Sequence, residues 1–235
     1  MNLSKTPVVC VCLLFLAAIP AYCQHGDISI NIAATSDKFG DLARTTAAEA
    51  ILDGQVAAYH AKDKEHGPTI MIGGEVRYPF DTTNHATEFA VFGGPMFHFT
   101  SDFTLGVHAQ FRETLLPSSI ISGVEFNRYN MRLFELPLVA EYKFGRDKRA
   151  FVQALAIPEF TPHFKNPSSG PPPYPHPNFD HGYTLRAVAG YKFGKFFAKA
   201  MYETRYFKFE PTYPNPDGLY NWRTDVVSGG VGVTF

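Results

Sequence analysis

Apolar side chains recur at every second position through most of this chain, with polar or charged ones between them. In 69–80 the pattern sets Ile70, Ile72, Gly74, Val76, Tyr78 and Phe80 against Glu75 and Arg77. In 87–99 it sets Phe89, Val91, Gly93, Pro95, Phe97 and Phe99 against Glu88 and His98. Phe103, Leu105, Val107, Ala109 and Phe111 oppose His108, Gln110 and Arg112. Phe134, Leu136, Leu138, Ala140, Tyr142 and Phe144 oppose Glu135, Glu141 and Lys143. The stretch 150–160 is looser, with Gln153 and Glu159 on its polar side. Leu185, Ala187, Ala189, Tyr191 and Phe193 oppose Arg186 and Lys192, and Phe196, Ala198, Ala200, Tyr202 and Tyr206 oppose Lys199, Glu203 and Arg205. The last run places Val227, Gly229, Val231, Val233 and Phe235 on one face. A period of two is that of β-strands, so the pattern predicts eight strands over 67–235.

The connections order these strands. Those at 100–102, 145–149 and 194–195 are short; those at 114–128, 165–181 and 210–221 are long and rich in Pro, Ser and Asn. Short and long connections alternate, as in a transmembrane β-barrel with short periplasmic turns and long external loops. Aromatics flank every short turn: Phe97, Phe99 and Phe103; Tyr142, Phe144 and Phe151; Tyr191, Phe193, Phe196 and Phe197. Phe235 ends on the same side, and Tyr78, Phe80, Tyr206, Phe207, Phe209 and Trp222 supply a second belt at the far ends. Two such girdles mark the membrane interfaces. Residues 24–66 are ambiguous. "DISINIAA" alternates, whereas "TTAAEAILDGQVAAYHAKDKEH" is Ala-rich and reads as a helix or as a strand around Gln55–His60. The reading adopted is an all-β, antiparallel up-and-down barrel of eight strands with 24–66 as an N-terminal extension. Ten strands is the alternative if both pieces pair.

Composition supports this reading. The formal net charge is −1 and gives nucleic acid no purchase; 22 Phe, 12 Tyr, 19 Gly and 18 Pro suit a turn-rich β protein. Lys5, the apolar run through Pro20 and the small Ala21 and Cys23 read as a signal peptide over 1–23, cleaved before Gln24. All three cysteines, Cys10, Cys12 and Cys23, lie within it, so the exported chain carries no disulfide.

The inward face carries the polar chemistry. Taking Gly194 and Lys195 as a two-residue turn pairs Phe193 with Phe196, which brings Arg186 opposite Glu203 and predicts an ion pair in the lumen. Lys199 and Arg205 share that face, and Glu75, Arg77, Arg112, Glu135 and Glu141 also point inward. Mixed signs fill a barrel of this size rather than bias an ion path. His98 and His108 sit roughly 13 Å apart at the strand rise, too far to share a metal. His163, His176 and His181 lack metal-ligand spacing, and no nucleophile elbow, P-loop or dinucleotide fingerprint occurs. No catalytic residue, metal or cofactor is assigned.

"FELPLVAEYKFG", "FVQALAIPEF", "YTLRAVAGYKFGK", "YETRYFKF" and the terminal "VGVTF" resemble the strands of the bacterial outer-membrane protein β-barrel domain family, the OmpA-like and OmpX-like small barrels. The resemblance implies a monomeric, non-enzymatic protein of the cell outer membrane, without a peptidoglycan-binding domain. It implies lipid as surroundings and the outer-membrane assembly machinery as a partner in biogenesis. That machinery would read Val231, Val233 and Phe235 as an insertion signal. The expected role is structural, surface-interaction or porin-like for small solutes. The rival is a soluble, lipocalin-like barrel binding an apolar ligand, with the faces reversed; a lipid-modifying enzyme is a further alternative.

Overall fold

A computed structural model describes residues 25–40, 44–60, 67–82, 85–115, 119–121, 124–126, 130–160, 162–165, 178–210 and 221–235. The signal-peptide assignment at 1–23 and its cysteines lie outside the described residues. The strands are β1 (Gly26–Phe39), β2 (Thr45–His60), β3 (Pro68–Pro79), β4 (Thr87–His98), β5 (Phe103–Val107), β6 (Ala109–Leu115), β7 (Ser119–Ile121), β8 (Val124–Phe126), β9 (Asn130–Glu135), β10 (Leu138–Phe144), β11 (Ala150–Glu159), β12 (His163–Lys165), β13 (Asn178–Phe193), β14 (Phe196–Glu210) and β15 (Asn221–Thr234). β7 and β8 form a separate small hairpin, and the other strands make one antiparallel sheet. β5 with β6, β9 with β10 and β11 with β12 are each one stave of the wall in two pieces, so the barrel has ten staves.

This corrects the eight-strand expectation. The described part of 24–66 is not an appendage: β1 pairs with β2 from Gly26↔Val56 to Asp37↔Thr45, and β2 pairs onward with β3. β1 also pairs with β15 from Asp27↔Thr234 to Phe39↔Trp222, which closes the wall. Gly26 and Phe235 exchange two backbone hydrogen bonds of 3.0 Å, so pairing runs to the last residue. Without β1 and β2, β3 and β15 would be open edges. Of the two readings of this Ala-rich segment the strand holds, and it is longer than Gln55–His60; cross-strand pairing overrides the helix propensity of alanine.

Parity decides what faces where. Phe134 is 71% exposed and Val231 61%, whereas Glu203 is 0% and Arg205 1% exposed. The apolar face therefore points outward and the charged face inward. The same parity corrects the girdle assignments. Phe197, Phe207 and Trp222 are buried inside the lumen, and Phe151 packs against a buried cluster of Ala33, Ile51, Val188, Met201 and Val226. Phe207 and Trp222 stack with ring centroids 5.4 Å apart and join Met131 and Leu133 in an apolar cluster inside the barrel. Three inward phenylalanines lie directly opposite glycines: Gly73↔Phe92, Phe151↔Gly190 and Phe197↔Gly232. A Cβ at any of the three glycines would collide with the facing ring, so the ring takes the space the glycine leaves.

The turn between β13 and β14 is the tight hairpin expected. Phe193 pairs with Phe196, and Gly194 has φ +70°, a conformation that costs glycine little. The wall is interrupted at His108, which lies between Pro95 on β4 and Pro137 in the break between β9 and β10. Neither proline has an N–H to give the ladder. The His108 N–H still donates to the Pro137 carbonyl at 2.9 Å.

Candidate functional site

Alternation projects polar side chains from β3, β4, β6, β9, β13 and β14 into the lumen at one level, where they form a continuous ionic belt. Glu203 lies at its centre. Arg77 clamps it with both terminal nitrogens at 2.8 Å, Arg186 Nε donates at 2.7 Å and Arg205 Nη2 at 3.3 Å. Arg77 and Arg186 also hold Glu75, each at 2.8 Å. Arg205 clamps Glu88 at 2.6 and 3.1 Å, and Arg112 reaches Glu88 at 3.2 Å and Glu135 at 3.1 Å. Gln110 donates to Glu135, and Thr114 to Glu88 at 3.3 Å. Arg77, Arg112, Arg186 and Arg205 thus balance Glu75, Glu88, Glu135 and Glu203. Arginine suits this because its planar fork grips a carboxylate with two bonds and keeps its charge when buried. At the margins Glu159 accepts from Thr184 at 2.6 Å, and its other oxygen has no hydrogen-bond partner among the described residues.

The belt divides the interior. On the side of the short turns lies a cavity of about 130 Å³ lined by Asp27, Asp53, Phe92, His108, Glu141 and Lys199 among others. There Lys199 pairs with Asp53 at 2.6 Å, and Asp53 also accepts from Ser29 at 2.8 Å and Asn31 at 2.7 Å. On the other side is a cavity of about 20 Å³ that includes Asp37, Glu49, His85, Trp222 and Thr224. Asp37 accepts from Trp222 Nε1 at 3.2 Å and Thr224 Oγ1 at 2.6 Å, and its second oxygen faces His85 Nδ1 at 3.1 Å. That pair ties the connection between β3 and β4 to β1 and β15. The Asp37 hydrogen bond pushes the His85 pKa up from its ordinary value, against the effect of burial.

The sequence-predicted residues divide into three groups. Arg186 and Glu203 face each other in register and are bonded, and Arg77, Glu75, Arg112, Glu135 and Arg205 join them in the belt. Lys199 lies below it on Asp53, and Glu141 pairs with Lys143 at 3.0 Å in the lower cavity. Val231 and Val233 face outward on β15, and Phe235 follows them. Asp53 and Asp37 were missed because they lie in the segment assigned to the extension. The alternation of "DISINIAATSDKF" was the signal that would have placed Asp37 inward. His98 lies within 3.1 Å of Thr69 and 3.3 Å of Thr104, and His108 stacks on Phe92 at 5.3 Å. Among the described residues no group of three or more His, Cys, Asp or Glu is placed to hold a metal ion.

No family model and no curated protein matches the chain. Solved barrels are similar to it at low sequence identity. A KdgM porin has 12% identity and a TM-score of 0.38, with 87% of this chain and 99% of that one covered. The outer membrane protease OmpT of Escherichia coli has 10% identity and a TM-score of 0.45, covering 90% and 96%. The transport unit of the autotransporter AIDA-I of Escherichia coli has 13% identity and a TM-score of 0.41, covering 98% and 97%. A porin, a protease and a transport unit share no one activity, so the role is argued from this chain's own wall and lumen.

Proposed function

We propose that this protein is an integral outer-membrane β-barrel of a diderm bacterium, exported through a cleaved signal peptide. In this reading it is a monomer with a plugged lumen and no catalytic role. It serves as a rigid support for the connections around 114–128, 165–181 and 210–221. One observation carries the reading: the outward face of the wall is apolar and the inward face is charged. A soluble barrel has the reverse polarity, because water must solvate its outside. The lipocalin-like alternative requires that reverse arrangement, and the ionic belt fills the space its ligand would need. For catalysis, the Asp37–His85 pair sits in about 20 Å³, too little for a substrate. Detergent dependence tests the reading. The refolded protein should aggregate without detergent and insert into phospholipid vesicles, migrating faster unboiled than boiled on a gel. A monodisperse, detergent-free monomer would refute it.

A further inference from the structure

The outward face of β1, β15 and β14 changes character abruptly near the end that carries the long connections. Below, its rows are apolar: Ile30 beside Val231, Ile32 beside Gly229, then Ala34 beside Val227 and, across β15, Tyr202. Two rows higher Lys38 lies directly opposite Arg223, both exposed. Arg44 is bonded to Ser36 at 3.3 Å on the same face, and Lys208 stands on β14 beside them. Among the described residues, carboxylates are fewer than cations here. Asp225 is shared by Arg223 at 3.0 Å and Arg44 at 3.5 Å, and Tyr202 donates to it at 3.2 Å. Asp180 takes Lys208 at 3.0 Å, with His181 at 3.2 Å. Lys38 has no carboxylate partner among the described residues. Elsewhere at this end Arg132 is matched by Glu113 at 3.2 Å.

Like charges directly opposite each other on neighbouring strands destabilise a sheet. Lys38 and Arg223 hold that arrangement at the height where an apolar band meets headgroups. We infer that this sector binds the phosphorylated headgroup of a lipid in the adjoining leaflet. The headgroup phosphate lies between Lys38 and Arg223, and its acyl chains run down the Ile32, Val227 and Val231 face. The chemistry fits on three counts. Arginine grips phosphate with two parallel N–H bonds, and lysine adds a point charge. Tyr202 and Tyr206 sit at the boundary, where phenols prefer one apolar and one wet end. A phosphate monoester supplies the negative charge that Asp225 and Asp180 leave lacking. Cations near an anionic lipid surface contribute about 1 kcal/mol each, so losing Lys38 and Arg223 weakens binding by roughly thirtyfold.

This inference rests on the membrane reading, and the test separates the two. The protein in maltoside micelles is titrated with lipid A, with dephosphorylated lipid A, and with inorganic phosphate, while the unfolding midpoint is followed. Lipid A should raise the midpoint, and the other two should not. Lys38→Gln with Arg223→Gln should need roughly thirtyfold more lipid A for the same shift, and Arg132→Gln should respond like the parent. Should the double variant fail to fold, Arg44→Gln and Lys208→Gln, made singly, should each weaken the response. Equal shifts from both lipids, a matching shift from inorganic phosphate, or unweakened variants would overturn the inference. A barrel that inserts into vesicles but ignores the phosphate leaves the membrane reading intact. A barrel soluble without detergent removes both.

Discussion

Arg77 holds two carboxylates at once, Glu75 at 2.8 Å and Glu203 through two bonds of 2.8 Å, while itself only 3% exposed. Replacing it with methionine keeps the bulk and leaves two buried carboxylates short of a cation. Breaking a buried pair in this way costs about 3–5 kcal/mol, far more than an exposed ion pair contributes. The urea midpoint of the refolded barrel should therefore drop sharply for Arg77→Met, and Lys148→Met, at an exposed turn, should leave it unchanged. A small effect at Arg77 would mean that the belt is loosely held. His85 is the second informative residue. Its pKa lies above the ordinary value of 6.5 because the Asp37 carboxylate accepts from the ring, with Asp81 and Glu49 adding charge of the same sign. The stability it contributes is complete below that ordinary value and is lost as pH rises through the raised one. Trp222, the only tryptophan, shares Asp37 with His85. Its emission should shift across that alkaline-side window, and His85→Asn should abolish the shift. An unchanged titration in the variant would show that the emission reports another group.

At the scale of strands, β1 and β2 decide whether the wall closes. A chain starting at residue 67 retains every strand that alternation made plain, yet it leaves one edge each of β3 and β15 without its partner strand. It should not give a heat-modifiable band on refolding, whereas the chain from residue 24 should. A folded 67–235 fragment would restore the eight-strand barrel. Strands with bulky alternation, such as β10, β13 and β14, were legible because their outward residues are large and their inward ones charged. β2 was not, since Ala47, Ala48 and Ala50 carry little signal of face and favour helix in isolation. The belt was legible only where a tight turn fixed the register. Arg186 and Glu203 flank Gly194 and Lys195, so counting reaches both. Arg77 meets Glu203 across the lumen at a separation of 126 residues, which no hairpin register predicts. β15 raises a separate point. Phe235 is bonded to Gly26 through its backbone, and its half-buried ring lies over Gly26, where a Cβ would meet it. Phe235→Asp should lower the amount assembled in cells while in vitro refolding stays near that of the parent. Equal loss in both would make the residue structural.

For the whole molecule, the question is whether the lumen conducts, and two barriers stand in series. The ionic belt spans the middle, with its arginines and glutamates neutralising one another and leaving no path of one sign. Above it Met131 and Leu133 on β9 meet Phe207 on β14 and Trp222 on β15, so an apolar cluster crosses the barrel toward the end with the long connections. Such a constriction excludes ions by staying dry. The parent protein should therefore be silent in a planar bilayer. Opening the belt alone with Glu203→Ala, Arg77→Ala and Arg205→Ala should also give silence, because the cluster remains above it. Opening the cluster alone with Phe207→Ala and Trp222→Ala should do the same, because the belt remains. Only the combined variant, shown to be folded by its gel shift, should give discrete steps. Steps in the parent would refute the plug outright. Steps after opening one barrier would mean that the other does not span the lumen, and would identify which of the two layers, charged or apolar, closes this barrel.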